Sequence, residues 1–253
     1  MAWILDLDGV IWLGPDVVPG VPEAVARLRD AGERVLFLTN NSSRPVSDVL
    51  GKLDGMGIAA EPDEIATSAL AAAAMLDEGS TALVCGGVGV EEALDERGVR
   101  RVSEGDADAV VVGWFKEFDY DHLTAAFHAV SNGARLIGTN DDPTYPTPDG
   151  PIPGGGALLA AVAVASGVKD PEVAGKPHQP MADLVRSRLG DDTEGVILVG
   201  DRPSTDGAMA DLLGVKFALV MTGVSDSDDV PDDPAPAHVA DDLPTLVDEL
   251  LDQ

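Results

Sequence analysis

The stretch Trp3-Ile4-Leu5-Asp6-Leu7-Asp8-Gly9-Val10 decides how the rest of the chain is read. Ala2 to Leu5 is a short apolar run with the length and composition of a buried strand, and Gly9 breaks it. In an extended chain, residues i and i+2 share a face and lie about 6.6 Å apart along the strand. Two acids at the mouth of an apolar strand repel each other and resist desolvation unless a cation or a reaction employs them. An acidic turn after an edge strand has the same pattern, so the motif by itself leaves both readings open.

Working outward, Pro22 to Ala31 has the periodicity of a helix with Ala24, Val25 and Leu28 inside and Gly32 as its stop. Val35-Leu36-Phe37-Leu38 is a second apolar strand, ending in Thr39-Asn40-Asn41-Ser42-Ser43. Strand, helix, strand in about forty residues is a βαβ unit, so the two strands should be parallel. Their C-terminal ends then share one edge of the sheet, where α/β folds bind ligands, and Asp6, Asp8, Thr39 and Asn40 should face one crevice. A helix over Val46 to Met56 should follow, its first amides suited to a phosphate. Asn40-Asn41-Ser42-Ser43 also reads as a plain cap and turn.

From about residue 79 the pattern starts again. Strands are predicted at Ala82 to Cys85, Ala109 to Gly113 and Arg135 to Gly138, with helices at Glu91 to Glu96 and Tyr120 to Val130. Gly86-Gly87-x-Gly89 lacks the third glycine and distal acid of a dinucleotide loop, so it reads as a turn packing strand to helix. Residues 139 to 156 form a long polar loop of the kind that is either functional or disordered, and an apolar helix, Ala157 to Ser166, follows. Lys176 stands between Gly175 and Pro177 just before a helix over Met181 to Leu189. Gly195 to Gly200 is another buried strand, closed by Asp201 with Asp206 five residues on. A helix at Gly207 to Leu213, a strand at Phe217 to Met221, an Asp/Pro-rich loop at Ser225 to Pro236 and an amphipathic helix at Leu243 to Leu251 complete the chain.

With 253 residues, 45% of them hydrophobic, a sizeable core can be buried. The 45 acidic residues against 16 basic ones leave a net charge of −29, which excludes broad nucleic-acid binding because nothing would neutralise phosphates over an extended face. An acidic surface with only five lysines suits a salt-rich cytosol, where screening removes self-repulsion, so stability and activity are expected to be highest in concentrated KCl. The single cysteine, Cys85, rules out an internal disulfide framework and reads as a small buried hydrophobe. No secretory signal opens the chain, and the apolar run Gly154 to Val168 is too short and glycine-broken to span a bilayer. A cytoplasmic protein with no membrane partner is expected.

Asp6-x-Asp8-Gly9, Thr39-Asn40, Lys176 and Gly200-Asp201-(x4)-Asp206 occur in the order and contexts of the haloacid dehalogenase superfamily, which the chain resembles over essentially its whole length. Residues 79–170 resemble the large α/β cap of its NagD-like branch, which includes p-nitrophenyl phosphatases and nucleotide, sugar, pyridoxal and glycolate phosphate phosphatases. The resemblance implies a doubly wound, mainly parallel, Rossmann-like α/β core, residues 1–78 and 171–253, with the α/β cap inserted. It further implies a Mg²⁺-dependent phosphatase of small phosphorylated metabolites in which Asp6 is the nucleophile and Asp8 the general acid and base. Mg²⁺ would be held by the Asp6 side chain, the Asp8 main-chain carbonyl and Asp201, with Asp206 behind them. Thr39 and the Asn40 amide would hold the phosphoryl oxygens, Lys176 would neutralise phosphate and nucleophile, and Asn41 would be a further phosphate contact. Tyr145 lies in a segment that looks like the substrate-specificity loop; pyridoxal phosphatases tend to carry His there, which argues against that substrate. Cap-mediated homodimers are familiar among these relatives.

The rival from another class is a signalling receiver domain, which also uses an Asp phospho-acceptor, Mg²⁺, Thr and Lys on a doubly wound sheet. A receiver places its acidic pair before the acceptor strand, carries no large insertion and lacks a group such as Asp8 to turn the acyl-phosphate over. Many turnovers of p-nitrophenyl phosphate mark the enzyme, and a single burst the receiver.

Overall fold

Residues 2–145, 147, 150–190, 193–223, 230 and 235–251 are described by the computed structural model. The chain divides into two compact units, one of residues 1–39, 47–66 and 185–253, the other of residues 40–46 and 67–184.

The first unit is built on a six-stranded sheet. Its order is His238–Ala240, Lys216–Val220, Ile197–Gly200, Ala2–Asp6, Arg34–Thr39, Ile65–Thr67. Ala2–Asp6 is buried along its whole length, as an apolar run in a sheet covered on both faces must be. It pairs parallel with Ile197–Gly200, Leu5 opposite Val199, and parallel with Arg34–Thr39, Asp6 opposite Leu38. The predicted βαβ start is therefore present, its helix running Val21–Asp30 with Val21, Ala24, Val25 and Leu28 buried. That helix packs on the closing helix Leu243–Leu251. From the strands Ala2–Asp6 and Ile197–Gly200 the sheet grows outward in both directions, so the topological switch point lies between them.

Beyond Asp6 the backbone folds on itself. Leu7 C=O accepts from the N–H groups of Ile11 at 2.9 Å and Trp12 at 3.1 Å, and Gly9 N–H donates to Trp12 C=O at 2.8 Å. Gly9 has φ +91°, a conformation that side chains with a Cβ resist. A short hairpin, Trp12–Leu13 with Asp16–Val17, follows.

The second unit carries a five-stranded sheet whose order is Glu172–Val173, Arg135–Gly138, Ala109–Val112, Thr81–Cys85, Arg100–Val102. All its pairs are parallel. Helices Tyr120–Ser131 and Gly155–Ser166 pack on each other over a core that includes Leu83, Val110, Val112, Leu136 and Leu159. Helices Ser68–Ala74 and Val88–Glu96 form a second packed pair. The predicted turn at 86–89 is shorter than expected: Gly87 caps the helix and Val88–Glu96 begins three residues before Glu91. The long polar loop holds a small hairpin, Thr144–Tyr145 with Ile152–Pro153. Most of the predicted loop Ser225 to Pro236 lies outside the described residues. Among the described residues no helix is long and apolar enough to cross a membrane.

Candidate active site

In the first unit the site is assembled by strand ends at the switch point. Asp6 closes Ala2–Asp6, Thr39 closes Arg34–Thr39, and Asp201 follows Ile197–Gly200 directly. Parallel pairing sends all three to one edge of the sheet. A five-residue π-helical turn, Pro203–Gly207, then carries Asp206 back toward the strand end. Asp206 is held there by Arg202 N–H, which donates to its Oδ2 at 3.0 Å. Carboxylate oxygens of Asp6, Asp201 and Asp206 lie within 4.8 Å of one another.

The three are 7%, 3% and 0% exposed, so they are almost out of water as well as mutually repulsive. A hard cation offsets both costs, and an all-oxygen donor set suits Mg²⁺, Ca²⁺ or Mn²⁺ rather than a thiophilic metal. Missing side chains give them room. A Cβ at Gly200 would come within 2.3 Å of Asp206, and one at Gly9 within 2.5 Å of the Asp201 carboxylate. A Cβ at Gly223 would overlap the same carboxylate, and the neighbouring Thr222 hydroxyl donates to Gly9 C=O. The residues present fit a divalent ion.

The Asp8 carboxylate is outside this cluster. Its Oδ1 accepts from Trp12 Nε1–H at 2.9 Å. Lys52 lies over the same indole, Nζ 3.6 Å from the ring centroid, and donates to Gly14 C=O at 2.9 Å. Burial lowers the Lys52 pKa, with the Asp8 charge pulling the other way.

In the second unit Asn40, Lys176 and the loop after Thr139 are tied together. Lys176 N–H donates to Asn40 Oδ1 at 2.7 Å, while Asn40 Nδ2 donates to Lys176 C=O at 3.0 Å and to Asp142 Oδ2 at 3.1 Å. Asn40 C=O accepts from Asn140 Nδ2 at 2.9 Å and from the Ser68 hydroxyl at 2.7 Å. Lys176 is 3% exposed, a burial that an ammonium group tolerates only with work to do. Next to it, His178 Nε2 meets Asp141 Oδ2 at 2.9 Å, and this bond holds the Asp141 carboxyl below the usual range. Asn41 Oδ1 accepts from the N–H and hydroxyl of Ser43 at 3.0 and 2.7 Å, which is the turn-forming role its sequence also allowed. Tyr145 stacks on Trp114, ring centroids 4.8 Å apart, and Trp114 Nε1–H donates to Pro153 C=O across the hairpin.

Trp12, Lys52, Trp114 and Gly223 are among the residues of these clusters that no motif singled out. Trp12 offered a signal, since an indole four residues from an acid across a glycine turn can reach back to it. The others gave none, because their partners are remote in the chain.

A sequence profile of haloacid dehalogenase-like hydrolases matches residues 3–100, and a second, HAD-hydrolase-like, matches residues 173–246. The acid sugar phosphatase of Staphylococcus aureus is 36% identical over 232 residues, covering 90% of this chain and 89% of that protein. The p-nitrophenyl phosphatase of Archaeoglobus fulgidus superposes with TM-score 0.90 at 30% identity, over 98% of each chain. The glycerol phosphate phosphatase of Mycobacterium tuberculosis, solved in complex with magnesium, superposes with TM-score 0.88 at 33% identity, over 97% of this chain and 75% of that one. With acidic strand ends, an all-oxygen cluster and an inserted α/β cap, the chain belongs to the haloacid dehalogenase-like hydrolases, in their NagD-like branch.

Proposed function

We propose that this chain, a phosphoric monoester hydrolase by family, is a Mg²⁺-dependent phosphatase of small phosphorylated metabolites that works through an aspartyl-phosphate on Asp6. The observation that carries this reading is the convergence of three buried carboxylates, Asp6, Asp201 and Asp206, at the switch point of a parallel sheet. Phosphate monoesters are slow to hydrolyse because water is a weak nucleophile toward a dianion and an alkoxide leaves badly. When bound by the Asp6 side chain, the Asp8 main-chain carbonyl and Asp201, Mg²⁺ would supply positive charge against the phosphate.

The residues divide the remaining work. A carboxylate oxygen of Asp6 bonds to phosphorus as the bond from phosphorus to the leaving oxygen breaks, and Asp8 gives its proton to that oxygen. Asp8 then takes a proton from water as the water oxygen bonds to phosphorus, which releases inorganic phosphate and restores the Asp6 carboxylate. In this reading Thr39, Asn40 and Asn41 bind phosphoryl oxygens, Lys176 neutralises charge, and Asp206 supports Asp201. The catalytic core is residues 1–78 and 171–253, and the cap, 79–170, chooses the substrate, Tyr145 contributing to the choice.

The relatives' names support sugar phosphates and glycerol phosphate as the substrate class. The charge of −29 supports a cytoplasm rich in salt. With p-nitrophenyl phosphate and MgCl₂, the protein is expected to release many equivalents of p-nitrophenolate, and EDTA to stop it. Asp6→Asn should lower kcat on the order of 10³-fold or more while the circular dichroism spectrum is unchanged. Appreciable multiple turnover in that variant would remove Asp6 from the nucleophile role.

A further inference from the structure

Asp8 is half-buried at the mouth of the first sheet, and a carboxylate there has several rotamers open to it. One neighbour restricts it. Trp12 is 4% exposed, and its indole N–H, which a buried ring must satisfy, points at Asp8 Oδ1 from 2.9 Å. The backbone fixes both ends of this contact: residues 8 and 12 are bridged, Gly9 N–H donates to Trp12 C=O, and Leu7 C=O accepts from Trp12 N–H. Among the described residues no other hydrogen bond reaches the Asp8 carboxylate. Lys52 lies on the ring face at 3.6 Å, and a cation there draws density from the indole and strengthens its N–H as a donor. A second buried indole provides a contrast. Trp3, 1% exposed in the central strand, has no hydrogen-bond partner for its Nε1 among the described residues. Burial of an indole in this chain therefore does not by itself bring an acceptor to it.

We propose that Trp12 is a positioning residue for Asp8: its N–H holds Oδ1, so that Oδ2 is the oxygen that carries the proton to the leaving group and takes one from water. The inference rests on the reading of Asp8 as general acid and base. Lys52 acts at one remove, through the ring.

Leaving groups test it. Phenyl phosphate and p-nitrophenyl phosphate have nearly the same shape, but phenolate needs a proton on departure far more than p-nitrophenolate does. The constant kcat/KM reports the steps up to the first departure of the leaving group. Trp12→Phe keeps an aromatic ring at the position and removes the donor. It should lower kcat/KM for phenyl phosphate on the order of tenfold more than for p-nitrophenyl phosphate. Lys52→Met should shift the same ratio the same way by less, and it serves in place of Trp12→Phe should that variant fail to fold. Trp3→Phe should leave the ratio unchanged. Equal losses on both substrates, or none, in Trp12→Phe overturn the inference if Asp8→Asn discriminates between the substrates. If Asp8→Asn does not discriminate, the general-acid reading itself fails, and the inference with it.

Discussion

In the first sheet the strands Ala2–Asp6 and Ile197–Gly200 flank the point where the chain changes direction across the sheet, and in the second Thr81–Cys85 and Ala109–Val112 do the same. Open α/β sheets offer a crevice at such a point. In the first unit, acids occupy the strand ends and glycines clear space for them. In the second, Gly86 and Gly113 follow the strand ends and the chain itself fills the space beside them, a Cβ at Gly86 meeting Val90 at 3.0 Å. A Cβ at Gly113 would fall 2.8 Å from the Ser42 hydroxyl, and one at Gly89 only 2.2 Å from Arg44 C=O. Ser42, 1% exposed, shares a hydrogen bond with the buried Thr139 hydroxyl at 2.8 Å. The same topology thus supports a candidate reaction centre in one unit and a self-filled joint in the other. Side chains at the strand ends decide the use to which the sheet is put.

Two substitutions and one labelling experiment break or sharpen this contrast. Gly9→Ala should have the largest effect, since its φ of +91° resists a Cβ and the added carbon meets the Asp201 carboxylate at 2.5 Å. Displacement of that group should lower kcat/KM for p-nitrophenyl phosphate about 10²-fold, and retention of full activity would mean that Asp201 is not needed where it stands. Gly89→Ala should act on stability, because the added carbon drives into the backbone of Arg44; urea unfolding should show a loss of about 1–3 kcal/mol with an unchanged m value. Cys85 ends the strand beside the second switch point, and burial pushes its thiol pKa up to about 12. A thiolate-selective reagent at pH 8 should label it quickly in urea and scarcely at all in the folded protein. Equal rates would show the second crevice to be open.

The strands that position Asp6 and Asp201 were legible from the chain because each is a short apolar run ended by an acid or a glycine, whereas the turn Pro203–Gly207 that carries Asp206 is polar and shows no period. Parallel pairing follows from strand–helix–strand spacing, and the common edge follows from parallel pairing. Ser68–Ala74 was not legible, since its run of alanines has no polar face to give a period. The two-stranded hairpins are too short to show alternation. At Gly86 the expected strand-to-helix packing is present, a Cβ there meeting Val90 at 3.0 Å, but Gly87 and Gly89 face the backbone of Ser43 and Arg44, more than forty residues away in the chain. Gly223, two residues beyond the expected strand Phe217 to Met221, carried no signal because the carboxylate it clears belongs to residue 201.

The crowding of Asp201 constrains how this site can change. One glycine near the start of the chain and another near residue 223 both leave room for its carboxylate, and Gly200 does the same for Asp206. A lone substitution at any of the three displaces an acid before it can create an alternative. New chemistry on this scaffold is therefore reached more readily by rebuilding the inserted α/β domain, which can drift piecemeal, than by remodelling the acidic end of the sheet, where distant segments would have to mutate together.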